Sequence, residues 1–192
     1  LLERLWGDHI HLGYYRQSGS GRSHHQDFRV AKETFVHELA RWSGLDKLPP
    51  GSTVLDVGCG IGGSALILAK DYGLNVLGIS ISPAQIERAR QLVQPRAANT
   101  IDWIVADACA LPLAADSLDV VLAVECIFHF PSRQAFLREA QRVLRPGGSL
   151  VLSDFVPCRP LAILLRALQS LHGAPFSNDT YGPIDCCWDQ RR

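Results

Sequence analysis

At 192 residues, with 47% hydrophobic and 20% charged, the chain suits one folded domain with a sizeable core rather than a disordered tail. Nineteen basic residues balance nineteen acidic ones, so net charge draws it to neither nucleic acid nor an anionic membrane surface. No apolar run approaches the roughly 20 residues that span a bilayer, and LLERLWGDH at the start lacks the layout of a secretion signal. A cytoplasmic setting is the default expectation, and no membrane span is expected. The six cysteines form no C-x-x-C pair and no His–Cys spacing, so no metal site is expected. Cys186 and Cys187 are adjacent and are expected to be surface or packing thiols. The chain contains no Met and ends in CCWDQRR without closing a strand pattern. A processed or truncated chain accounts for both, and the fold is expected to lack its C-terminal strands.

In chain order, QSGSGRSHH (17–25) reads as a linker, in which His24 and His25 are expected to have no role. Residues 26–43 predict an amphipathic helix, with Phe28, Phe35, Leu39 and Trp42 on its apolar face and Gly44 as its stop. Residues 52–58 predict a buried strand running into a glycine-rich turn, and 62–73 a helix stopped by Gly73. A second strand follows at 75–80, then a helix at 82–93 with Ser82 as N-cap and Pro83 in its first position. Strands are predicted at 100–107, 117–125 and 149–155. A helix capped by Ser132 spans 132–144 and is closed by Pro146-Gly147-Gly148. Residues 161–171 look helical. Strands alternating with helices imply a doubly wound, mostly parallel α/β sheet, whose ligands bind at the carboxyl ends of the strands. Residues 1–45 are expected to form an N-terminal helical cap, and 46–192 the binding domain.

The turn DVGCGIGG satisfies two fingerprints. Gly58, Gly60 and Gly63 fit the G-x-G-x-x-G turn of dinucleotide domains. Gly58, Gly60 and Gly62, behind Asp56, fit the looser turn of S-adenosylmethionine (SAM) enzymes. Either way, a glycine run at a helix N-terminus lets backbone N–H groups approach a phosphate or a carboxylate. Asp56 can then contact an amino group. A dinucleotide domain wants an acid at the end of the second strand, where this chain has Ser80. A hydroxyl there can bind a ribose with Gln85 as helper, or simply begin a helix. Asp107 and the Ala108 amide, after the third strand, can read an adenine amino group; a plain turn is the alternative.

Together VLDVGCGIGG, GISISPAQIERAR, ADACALPLAADSLDVV and EAQRVLRPGGSLVLSDF, in that order over 51–155, resemble the class I SAM-dependent methyltransferases. WGDHIHLGYY with GISISPAQ is similar to their small-molecule branch, which holds tocopherol, sarcosine/dimethylglycine and natural-product sugar methyltransferases. The resemblance implies a Rossmann-like fold, SAM as cofactor and a small-molecule acceptor, most readily a hydroxyl. It also implies that Ser80, Ile81 and Gln85 make the ribose and adenine contacts. Tyr14 and Tyr15 would belong to a lid over the cofactor, and Glu125, ending the fourth strand, would join the cofactor contacts. In sugar O-methyltransferases of this branch a His and an Asp matching His129 and Asp154 are the proposed bases. His129 is therefore expected as general base and Asp154 as its helper or an acceptor ligand. N- or C-methylation, a nucleotide-dependent oxidoreductase and a non-catalytic SAM-binding domain stand as alternatives, and homodimerisation stays open.

Overall fold

A computed structural model describes residues 11–15, 28–92 and 100–154. The expected helix at 161–171 and Cys158, Cys186 and Cys187 lie outside these residues. Five strands, β1 (Thr53–Val57), β2 (Asn75–Ser80), β3 (Ile101–Val105), β4 (Leu118–Val124) and β5 (Leu144–Ser153), form one parallel sheet. Its order is β3-β2-β1-β4-β5. Among the described residues four α-helices accompany it: α1 (Phe28–Ser43), α2 (Gly63–Tyr72), α3 (Pro83–Leu92) and α4 (Arg133–Val143).

Adjacent strand residues point to opposite faces, and both faces are buried, which is why the strands read as continuous apolar runs. Val54, Val76, Val120 and Leu122 pack with Leu68 of α2 and Ile86 of α3. Leu55, Ile79, Val121 and Ala123 pack on the other face with Phe136 and Ala140 of α4. The expected caps form: Ser82 Oγ accepts from Gln85 N at 3.4 Å, and Ser132 Oγ from Ala135 N at 3.1 Å.

Two local expectations change. The buried face of α1 is Ala31, Lys32, Val36 and Ala40, whereas Trp42 is 80% exposed. Residues 11–15 lie close against this face at Ala31: Tyr14 N donates to Ala31 O at 2.8 Å, while Phe35 and Leu39 pack half-buried on the core as expected. Pro146-Gly147-Gly148 is also no terminator ahead of β5 but part of it. The β4–β5 register jumps from Leu118↔Leu144 to Val120↔Ser149, so the extra residues form a bulge, with Gly147 at φ 84°.

Trp103, in the middle of β3 opposite Gly78 of β2, packs its indole where glycines make room for it. A Cβ on Gly78 or on Gly62 would overlap the ring. Gly78→Ala is expected to destabilise the fold by about 1–3 kcal/mol through overpacking. Urea unfolding should show this as a lower midpoint at unchanged slope.

Candidate active site

The sheet reverses its winding between β1 and β4, where two non-consecutive strands pair, and parallel α/β sheets open a crevice at such a point. A cleft of about 440 Å³ lies there, within the usual range for a small-molecule site. Asp56, Gly58, Gly60, Ser80, Ile81, Gln85, Asp107, Ala108, Glu125 and His129, all expected from the sequence, line it. Three other expected residues, Gly62, Tyr15 and Asp154, do not.

The glycine turn leaves β1 through backbone angles that side chains rarely tolerate: φ is 67° at Gly58, 57° at Gly60 and 95° at Gly62. Gly58 also lies against Cys126, whose Cβ would be 2.6 Å from an added methyl. The Cys126 thiol donates to Val57 O at 3.1 Å, and burial pushes its pKa upward. It is therefore a packing group behind the turn. Gly62 N-caps α2 against Trp103, while Gly63 faces the cleft.

Asp56 is fully buried at the head of the turn, and burial raises its carboxyl to about 7 against a donation from the Ala65 amide. Ala65 is the third residue of α2, so Asp56 reaches from β1 to an otherwise uncapped helix N-terminus. Its second oxygen, Oδ2, is buried with no partner among the described residues. A buried acceptor in a cleft wall without a donor calls for one from a ligand.

At the end of β2 the hydroxyl of Ser80 is already engaged. It donates to Gln85 Oε1 at 2.7 Å and accepts from Ser82 N at 3.1 Å. Ser80 is buried, whereas Ile81 is 75% exposed on the cleft rim. Asp107 Oδ1 accepts from Cys109 N at 2.8 Å, an Asx turn that leaves the exposed carboxylate on the wall beside buried Ala108.

Beyond β4, Glu125 is half-buried with φ 48°, and Ile127–His129 forms a single 3₁₀ turn. His129 is exposed on the cleft wall, its ring 4.1 Å from that of Phe128. Asp154, next to β5, pairs with Arg133 Nη2 at 2.9 Å in a nearly dry setting. This ion pair ties β5 to the start of α4 and engages the carboxylate expected to help His129. Tyr14 and Tyr15 are exposed; His11 is the residue of that segment on the cleft wall. His11 gave no sign in the sequence because its place in the wall is set by folding, which packs it on Phe35 of α1. Among the described residues no cluster of His, Cys, Asp and Glu could hold a metal ion, and no helix is long and apolar enough to cross a membrane.

Residues 55–152 match the family model of the methyltransferase domain, half of the chain. The chain belongs to the class I SAM-dependent methyltransferases. The chain is 52% identical over 155 residues to 2-methyl-6-phytyl-1,4-hydroquinone methyltransferase of Synechocystis sp., a match covering 81% of the chain and 47% of that protein. It is 38% identical over 159 residues to 27-O-demethylrifamycin SV methyltransferase of Amycolatopsis mediterranei, covering 81% of the chain and 54% of that protein. A solved structure of Haemonchus contortus phosphoethanolamine N-methyltransferase 2 with SAM superposes at a TM-score of 0.58 and 28% identity, over 62% of the chain and 27% of that protein. The chain spans about half the length of the relatives it matches. SAM is the cofactor of this family, and the unpaired Asp56 oxygen and the open glycine turn fit its amino acid end.

Proposed function

We propose that this chain carries the cofactor-binding part of an enzyme that methylates a small hydroxylated acceptor, with oxygen the favoured atom and His129 taking the acceptor's proton. One observation carries the reading: a single cleft has the buried Asp56 and the glycine turn in one wall and an exposed imidazole in another. When bound, SAM supplies a methyl group on a sulfonium, whose displacement leaves a neutral thioether and one acceptor proton to remove. Asp56 Oδ2 would accept from the ammonium, and the backbone of Gly58 and Gly60 would lie along the carboxylate end. Asp107 and the Ala108 amide would face the adenine edge. Gln85, held by Ser80, and Ile81 would flank the ribose and base. Asp154, paired with Arg133, would then take no direct part, and His129 would act alone on the proton.

The relatives named for a hydroquinone and for the 27-O position of a rifamycin guide the acceptor class toward phenolic and other hydroxyls. Removing a phenolic proton enriches oxygen and ring carbon alike, so the same part for His129 serves O- and C-methylation. The 52% identity to the hydroquinone enzyme is the observation that keeps ring methylation as a second reading. Methyl-labelled SAM, incubated with hydroquinones, other phenols, aliphatic alcohols and amines, tests this. Label on phenolic oxygen is the expected result, and label on ring carbon supports the second reading. Label only on amines would overturn both.

A further inference from the structure

Leu12 and Glu125 are 113 positions apart in sequence, yet Leu12 N donates to Glu125 Oε2 at 2.8 Å. The segment 11–15 is fixed a second time, through the Tyr14 N to Ala31 O bond at 2.8 Å. Between these bonds Gly13 passes so close to α1 that an added Cβ would be 2.9 Å from the Ala31 carbonyl carbon. At the start of the segment the buried His11 ring packs 5.3 Å from the Phe35 ring and forms part of the cleft wall. His11 Nδ1 lies 2.8 Å from Leu12 O, so that nitrogen carries the proton.

Glu125 is an unusual residue to find at a strand end. Its φ of 48° is a left-handed backbone, uncommon outside glycine and a mark of functional sites. Glu125 N donates to Ser153 O at 2.9 Å, so the edge of β5 holds that backbone in place. The conformation puts a carboxylate where the cleft and the 11–15 segment meet.

We infer that Glu125 is a positioning residue for methyl transfer: its carboxylate holds residues 11–15 against the sheet so that His11 completes the cleft wall. The link to methyl transfer rests on the function proposed above; the link between Glu125 and the segment does not. Glu125 acts through Leu12 and His11, so its removal raises the acceptor KM more than it lowers kcat.

Amide hydrogen exchange at Leu12, read by NMR on the full chain, tests the inference directly. In Glu125→Ala the Leu12 amide should exchange about tenfold faster while amides in β1 and β4 keep their protection. Glu125→Gln retains an acceptor oxygen and should stay within about threefold of the wild type. Glu125→Gly suits the left-handed backbone and should match the Ala variant, which separates loss of the carboxylate from backbone strain. The acceptor KM should rise about tenfold in the Ala and Gly variants, with kcat changed less than about threefold. Unchanged Leu12 exchange in Ala and Gly, or exchange in Gln as fast as in Ala, would overturn the inference. A wild type that binds no S-adenosylhomocysteine would sink the proposed function and leave the exchange result standing.

Discussion

Asp56→Asn is expected to raise the unfolding temperature of the ligand-free protein at pH 8 and to weaken its binding of S-adenosylhomocysteine at the same pH. Burial raises the Asp56 carboxyl from an ordinary 3.8 to about 7 in the folded chain. A buried acid of this kind favours the protonated form when folded, while the unfolded chain ionises it near its ordinary value. Its contribution to stability therefore falls as pH rises from about 4 to about 7, and levels off above that. The span corresponds to a loss on the order of 4 kcal/mol. Asn is uncharged throughout and can still accept from the Ala65 amide, so it removes the slope and keeps the helix contact. Its NH₂ would then replace the unpaired oxygen and meet the ligand's ammonium donor to donor, at a cost of about 1–3 kcal/mol in affinity. In the wild type, binding below pH 7 should release a proton from Asp56. Thermal unfolding across pH 5 to 8, with calorimetry in buffers of different ionisation enthalpy, reads both effects. A wild type and an Asn variant with parallel pH profiles would refute this part of the account.

His129→Ala is expected to lower kcat with a phenolic acceptor by about 10² to 10⁴, the span of a lost general base. The dissociation constant for S-adenosylhomocysteine should stay within a few-fold, because the Asp56 and glycine-turn end of the cleft is untouched. Raising pH should recover part of the rate as the acceptor ionises in solution, which a merely structural histidine would not show. Steady-state kinetics over pH, with binding measured separately, distinguishes these cases. Undiminished turnover would remove His129 from the proton path and leave positioning beside the methyl group as the source of rate.

The order of strands and helices was legible because the central strands β1, β2 and β4 are buried on both faces and the helices carry their own punctuation. Ser82-Pro83, Ser132 and Gly73 mark ends that the structure keeps. Ten of the thirteen expected site residues line the cleft, since a parallel sheet gathers its strand ends at one edge. What the sequence hid depends on contacts distant in the chain. Trp42 looked like core because its spacing is helical, but Ala31, Lys32, Val36 and Ala40 of α1 are buried instead. Trp103 gave no sign that it would fill the space left by Gly62 and Gly78. The pairing of Asp154 with Arg133 and of Glu125 with Leu12 is set by tertiary packing, not by local pattern. Nor could spacing show that the Ser80 hydroxyl would be engaged by Gln85.

The glycine turn carried two fingerprints, and family membership together with Asp56 favours the sulfonium cofactor over a dinucleotide. Isothermal titration of the full chain with S-adenosylhomocysteine and, separately, with NAD tests that claim most directly. Saturable one-to-one binding of S-adenosylhomocysteine with no heat from NAD is the predicted result. Binding of NAD, with S-adenosylhomocysteine silent, would contradict it.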